Sequence, residues 1–416
     1  MRSLKKLSYG VQKLGFIREA LFGYTGFSAL MRELIQNADD AKSEEVVFRF
    51  LSECLIVENQ SRFSDEDFDK ITQIASGNKR ADAESTGTFG VGFVSVYQLT
   101  DYPELFSSGY FLKLDPKQDS ADLEPSVEAI DGTRFRFAYR RAETEICREI
   151  EQQPITIEDQ KRFLELAQDE SCRNLIFLRN IKRIRIYDGE ELVCETMREK
   201  HPHAEGIFDL TLRQRCGERE RQIEFRLYER DFSSQHELEG KKSIVALAYP
   251  LDPSTTDIPQ GLLYNFLPTH LQTGFGFLMN GDFYPTNDRR SILYDESRSD
   301  TKSHWNQTVI AQAAKLLIST IDDLKSVFTP RQFYAFMPLQ PNPNLTLLAE
   351  MKDRFMEYAR GTSYEKPRIV YSSQNRWCTA DEVKLISDPK LVKLLIEAGE
   401  SLVPDAFKEH WNFFDD

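Results

Sequence analysis

A chain of 416 residues with 40% hydrophobic and 29% charged residues has the make-up of a folded globular protein and is too long for one compact core. Its formal charge of −14 opposes non-specific attraction to nucleic acid. No apolar run is long enough to span a bilayer, the basic start MRSLKKLSYGVQKLGF lacks the continuous apolar stretch of a signal peptide, and Cys54, Cys147, Cys172, Cys194, Cys216 and Cys378 show no CxxC spacing. These features predict a cytoplasmic protein with no membrane segment, disulfide or structural zinc.

In chain order, residues 1–43 read as helices, with Leu30, Leu34, Ala38 and Ala41 at helical spacing on one side. Residues 45–58 read as two short strands that turn at Ser52 and Glu53. Ser64 ahead of Asp65, Glu66 and Asp67 is a helix start, and that helix reaches residue 76. Residues 76–87 are polar and flanked by glycine, as a loop would be. Gly90, Val91, Gly92 and Phe93 then lead into an apolar helix over 94–99. Strands over 109–114 and 133–139 enclose a polar excursion.

Charged helical sequence returns over 142–165, and the first domain boundary is set there. A second unit holds strands over 175–178, 181–187 and 242–249, with Asp188 and Gly189 as a hairpin turn. The basic run 179–185 reads as a solvated strand edge or face. Residues 261–285 are aromatic and glycine-rich, and 303–327 form an amphipathic helix. Pro330, Pro338, Pro341 and Pro343 mark a linker and a small C-terminal unit. The predicted organisation is α/β throughout, with units 1–142, 143–328 and 329–416.

Three short segments carry candidate chemistry. In ELIQNADDA, Glu33, Asn37 and Asp40 share one helix face. Glu33 can orient and deprotonate a water, and the Asn37 side-chain oxygen can bind a magnesium ion that bridges phosphates. A solvent-facing polar stripe would show the same pattern. In GTFGVGF, the glycines let backbone approach an anion ahead of a helix start, although an ordinary flexible turn also fits. At the strand end LIVEN, Glu58 or Asn59 can accept a hydrogen bond from an adenine amino group, or can merely be surface polar residues.

The order and spacing of these segments resemble the GHKL superfamily, which includes the ninety-kilodalton heat-shock chaperones, gyrase B, MutL and the sensor histidine kinases. Its nucleotide domain is the Bergerat fold, an α+β two-layer sandwich. The phrases ELIQNADDA, TGTFGVGFVSVYQLTD and FLPTHLQTGFGFLMNGDFYPTNDRRSI are most similar to its sacsin-like members. The likeness is strong over 20–140, moderate over 170–325 and faint after 330.

The resemblance implies Glu33 as catalytic base, Asn37 as magnesium ligand and Asp40 as a pocket residue. It implies a phosphate wall of Gly87, Phe89, Gly90, Val91, Gly92 and Phe93, and Thr133 near the adenine. Residues 72–88 would be a lid whose Lys79 and Arg80 touch phosphate. The family's Asp-x-Gly-x-Gly stretch is replaced by Glu58, Asn59, Gln60, Ser61, Arg62 and Phe63, so adenine contact falls to Glu58 or shifts to Asn59, and base binding is expected to be weak. By the same resemblance a second-domain arginine would reach the γ-phosphate. Arg290 is the first candidate and Arg289 the second, with Asp282 and Asn287 near enough in sequence to hold them.

The activity so implied is magnesium-dependent ATP binding with slow hydrolysis to ADP, coupled to conformational change in a chaperone-like or regulatory role. Protein clients, partner domains of a longer chain or a second copy would receive that change. The competing reading is a nucleotide-binding interaction module with little hydrolysis. A sensor kinase is disfavoured, because none of His201, His203, His236, His270, His304 and His410 lies in a helical pair suited to a phospho-acceptor. A role on nucleic acid is disfavoured by the charge.

Overall fold

Apolar residues recur through EVVFRF, and this segment forms β1 (Glu45–Phe50) with Val46, Phe48 and Phe50 buried. It lies near the middle of a sheet that runs through most of the molecule. The computed structural model describes residues 13–23, 26–75, 91–118, 120–233, 241–252, 261–285, 292–293, 301–361, 366–386 and 388–410.

The N-terminal part is built from α1 (Lys13–Gly23), α2 (Phe27–Asp40), β1, β2 (Cys54–Asn59) and α3 (Asp65–Ala75). A 3-10 segment (Val91–Gln98), β3 (Glu104–Ser107), β4 (Tyr110–Lys113), β5 (Leu123–Pro125) and β6 (Thr133–Ala138) complete it. Then come α4 (Glu145–Glu149), α5 (Ile157–Leu175), β7 (Arg183–Asp188), β8 (Glu191–Ala204), β9 (Ile207–Cys216), β10 (Arg219–Asp231) and β11 (Ile244–Pro250). After these follow β12 (Leu262–Asn265), β13 (Leu267–Gln272), β14 (Leu278–Gly281) and α6 (Thr301–Val327). The C-terminal part holds α7 (Pro330–Ala335), α8 (Ala349–Arg360), a small hairpin of β15 (Val370–Tyr371) and β16 (Trp377–Cys378), and α9 (Pro389–Glu397).

Among the described residues the main sheet has 14 strands, in the order β13-β12-β14-β11-β10-β9-β8-β7-β1-β2-β6-β3-β4-β5. β1 is antiparallel to β2 and parallel to β7, with Glu45 opposite Arg183 and Phe50 opposite Asp188. The N-terminal and second parts therefore share one ladder. Helices α2 and α5 pack on each other and on β1, β7 and β8, whereas α6 packs on β10 and β11 beneath α8. The fold is thus mixed α/β, with helices layered on a sheet.

Two apolar clusters fill the interior. One joins Leu30, Leu34 and Ile35 of α2 to Phe48, Val57, Phe135 and Phe163. The other centres on Tyr249, whose ring lies 4.9 Å from that of Phe277 and 5.2 Å from that of Phe336.

Several expectations from sequence change. Residues 175–178 are not a strand, because α5 continues to Leu175 and Ile176 to Leu178 form a buried turn. A short apolar run does not by itself separate a buried strand from a helix end. The helix expected over 94–99 is a 3-10 segment. Of the two readings of the basic run 179–185, the solvated face holds, with Lys182 and Arg183 exposed, and the sheet edge does not. β7 lies between β1 and β8, burying Ile184 and Ile186. Its Arg185 pairs with Glu45 and its neighbour Lys182 with Glu44 at 2.5 Å. The expected absence of disulfides is also overturned. Cys194 and Cys216 stand directly opposite each other on β8 and β9 and are joined by a disulfide. Strand register brings them together across 22 residues, a spacing with no local motif.

The join between α2 and β7 depends on Asp39. Its buried carboxylate accepts backbone N–H bonds from Arg179 (3.3 Å), Asn180 (2.7 Å) and Ile181 (2.9 Å). The Asn180 side chain returns a bond to the Asp39 carbonyl at 2.8 Å. Asp39→Ala would orphan three donors, and a loss of about 3 kcal/mol or more is expected. Urea unfolding checks this, with Asp39→Asn expected to lose less because it keeps one acceptor oxygen.

Candidate functional site

Helix α2 buries Leu30, Met31, Leu34, Ile35 and Ala38 and turns Asn37 and Asp40 away from that core. It ends in a Schellman pattern. Ser43 N–H donates to Ala38 O at 3.0 Å, and Lys42 N–H to Asp39 O at 3.0 Å. Lys42 takes the left-handed position usually held by glycine, with φ +62°. A lysine kept in that conformation sits at the mouth of a cavity, where backbone strain is often retained for function.

The cavity has a volume of about 230 Å³. One wall is the end of α2, with Asn37, Asp40 and Lys42. The opposite wall is the loop after β2, with Asn59, Ser61, Arg62 and Phe63. Thr133 and Phe135 of β6 and Asp67 of α3 close it. Asp67 is held in place as it caps its helix, accepting from the Ser64 hydroxyl at 2.7 Å. Thr133 is buried, donates its hydroxyl to Ser61 O at 2.7 Å and lies 2.9 Å from the Ser107 hydroxyl. Gly132, at φ +105°, lets β6 begin against β2, because a Cβ there would overlap the Asn59 carbonyl oxygen.

Among the described residues, Asn37 has a buried side-chain nitrogen with no hydrogen-bond partner. Such a donor calls for an oxygen-bearing ligand or water. One turn earlier, Glu33 is 8% exposed. A Cβ on Gly92 would overlap the Glu33 carboxylate, so the glycine backbone lies directly on it. Asp40 is tied outward to the second part of the chain. Its carboxylate is 3.1 Å from Arg179 and 3.6 Å from Lys242, and both cations lie over the Phe266 ring, at 5.3 and 5.2 Å. Burial raises the Asp40 carboxyl above the usual carboxylate range, and the two cations offset only part of that.

The sequence-derived candidates thus divide. Asn37, Asp40, Asn59 and Thr133 line the cavity together. Glu33 and Gly92 meet each other. Phe93 is buried and packs on Phe135 at 5.6 Å. Val91 opens the 3-10 segment. Gly87, Phe89, Gly90, Lys79, Arg80, Asn287, Arg289 and Arg290 lie outside the described residues. Asp282 holds Lys241 at 2.7 Å.

Glu58 is corrected. Strand alternation turns it to the other side of the sheet from Asn59. There it meets Arg49 at 3.0 Å and Arg134 at 2.7 Å. Burial would raise its carboxyl, but the bonds and charges of Arg134 and Arg49 outweigh this and hold it below the usual glutamate range. Ser61, Arg62 and Phe63 fall in the stretch that replaces the family's glycine segment, whereas Lys42, Asp67 and Phe135 were not singled out and carry only the signal of position, just after α2, at the start of α3 and along β6.

The donor set fits a magnesium nucleotide. It offers an orphaned amide, nearby carboxylates and glycine-backed close approaches. Among the described residues no three His, Cys, Asp or Glu side chains gather as a metal centre, so an ion there would be shared with a ligand's oxygens.

The Sacsin domain family matches residues 49–127. Human (Homo sapiens) sacsin is 24% identical over 421 residues, covering 79% of this chain and 9% of its own length. Protein NO VEIN of Arabidopsis thaliana is 22% identical over 326 residues, covering 72% of this chain and 11% of its own length. The chain therefore spans about a tenth of the curated relatives it matches. The B-subunit of DNA gyrase from Myxococcus xanthus aligns in structure over 81% of this chain and 99% of its own, at 12% identity and TM-score 0.39. In sequence the chain is similar to sacsin, and the Sacsin domain match lies within its N-terminal part. No helix among the described residues is long and apolar enough to cross a membrane.

The placement of Glu58 has a measurable sign. Its folded carboxyl titrates below the unfolded value near 4.5, so its contribution is present above that pH and is lost as pH falls through the lower folded value. Glu58→Gln is expected to destabilise at pH 7 and to match the natural chain at strongly acidic pH. Nucleotide affinity should stay unchanged within about twofold. Denaturant titrations across pH, with nucleotide titrations at pH 7, check both.

Proposed function

We propose that the cavity binds ATP with magnesium and that the chain hydrolyses it slowly. The observation that carries this reading is the orphaned Asn37 amide, set on α2 between the Asp40 and Glu33 carboxylates. The sacsin-like sequence supports it. Asn37 would offer Oδ1 to the magnesium ion, which when bound neutralises phosphate oxygens, and its unpartnered Nδ2 would donate to a phosphate oxygen. Glu33 would accept the proton of the attacking water. The backbone at Gly92 would come close to the phosphates while keeping Glu33 in place. Asn59 and Thr133 would stand at the base, and Arg290 or Arg289 would bring a fixed positive charge toward the γ-phosphate.

Asp40 gives this cycle a route outward. Its ion pairs with Arg179 and Lys242 join the cavity wall to the strands beyond β7. A ligand that changes those pairs would bias how the two parts fit. The recipient is proposed to be a partner domain, a protein client or a second copy, in the cytoplasm.

One observation favours the second reading, a nucleotide-binding module with little hydrolysis. Glu33 is buried and does not line the cavity. Phosphate release separates the two. Glu33→Ala is expected to keep ATP binding and to lose turnover by about a hundredfold or more. Equal rates in variant and natural chain would leave the binding module. Asn37→Ala should remove the thermal stabilisation that millimolar ATP gives the natural chain. If ATP does not stabilise the natural chain, both readings fail.

A further inference from the structure

Asn59 ends β2 opposite Thr133, and its side chain lines the cavity that Glu58 turns away from. The Ser61 backbone N–H donates to Asn59 Oδ1 at 3.0 Å. This Asx turn fixes which end of the amide is oxygen. One lone pair of Oδ1 and both Nδ2 hydrogens remain for a ligand. The Thr133 hydroxyl beside it is already committed, to Ser61 O at 2.7 Å and to Ser107 at 2.9 Å. Phe135 supplies an apolar surface to the same cavity.

We propose that Asn59 reads the base, and that its paired donor and acceptor let the site take 6-amino- and 6-oxopurine triphosphates with little discrimination. This rests on the ATP reading above. A 6-amino group donates to Oδ1. A 6-oxo group accepts from Nδ2, the neighbouring atom of the same planar amide. A sideways shift of the base exchanges one contact for the other. A carboxylate would accept from the amino group but repel the oxo group, which is how an acidic residue separates the two purines. Glu58, the acidic residue nearest in sequence, is held on the far side by Arg49 and Arg134.

The test compares ATP, GTP and ITP, each with magnesium, by isothermal titration on the natural chain and on Asn59→Asp. The natural chain should bind all three within about threefold. The variant keeps the acceptor for Ser61 N–H, and should favour ATP over GTP and ITP by about tenfold or more. A natural chain that prefers ATP by more than tenfold would overturn the assignment, and it needs no variant to do so. So would a variant that folds, by circular dichroism, with an unchanged ratio. If none of the three nucleotides binds the natural chain, the ATP reading itself falls.

Discussion

Three backbone N–H groups from residues 179–181 converge on one buried carboxylate, Asp39. Removing a carboxylate from water is costly unless donors replace its hydration, so this geometry is satisfied in one relative placement of α2 and β7. Rotation of α2 about its axis is fixed with it. Asn37 and Asp40 then face the cavity while Leu34 and Ile35 stay in the core. The site is oriented by a residue that takes no part in it.

The neighbouring acid does a different job. Asp40 is shared between the cavity and two cations from beyond β6. Asp39 is a rigid attachment made to backbone. Asp40 is an adjustable one made to long side chains, which can re-pair at modest cost. Two adjacent, identical residues thus combine a fixed joint with a responsive one.

Much of this was legible in sequence, for physical reasons. α2 and α6 have long periodic apolar faces, and Ser64 before three acids is a local capping signal. Helical spacing put Asn37 and Asp40 on one face, and the resemblance singled them out from a plain polar stripe. What could not be read depended on pairing between distant strands. Glu58 and Asn59 are adjacent, and only the register that puts Arg134 opposite Glu58 shows which of them leaves the cavity. β8, β9 and β10 are long strands dense in charge that pair in the middle of the sheet, and the sequence reading placed no strand there. Cys194 and Cys216 became partners through the same register. Asp39 looked like its neighbour, because burial of one acid rather than the next is decided by residues 140 positions away.

The parallel pairing of β1 with β7 has a mechanical consequence. Two parts that share an unbroken ladder have no soft joint at the shared strands, since bending there would break hydrogen bonds on both sides. Deformation is left to twist distributed along the sheet and to loops at its margins. The amides of β1 and β7 should therefore open together in hydrogen exchange, as one cooperative unit.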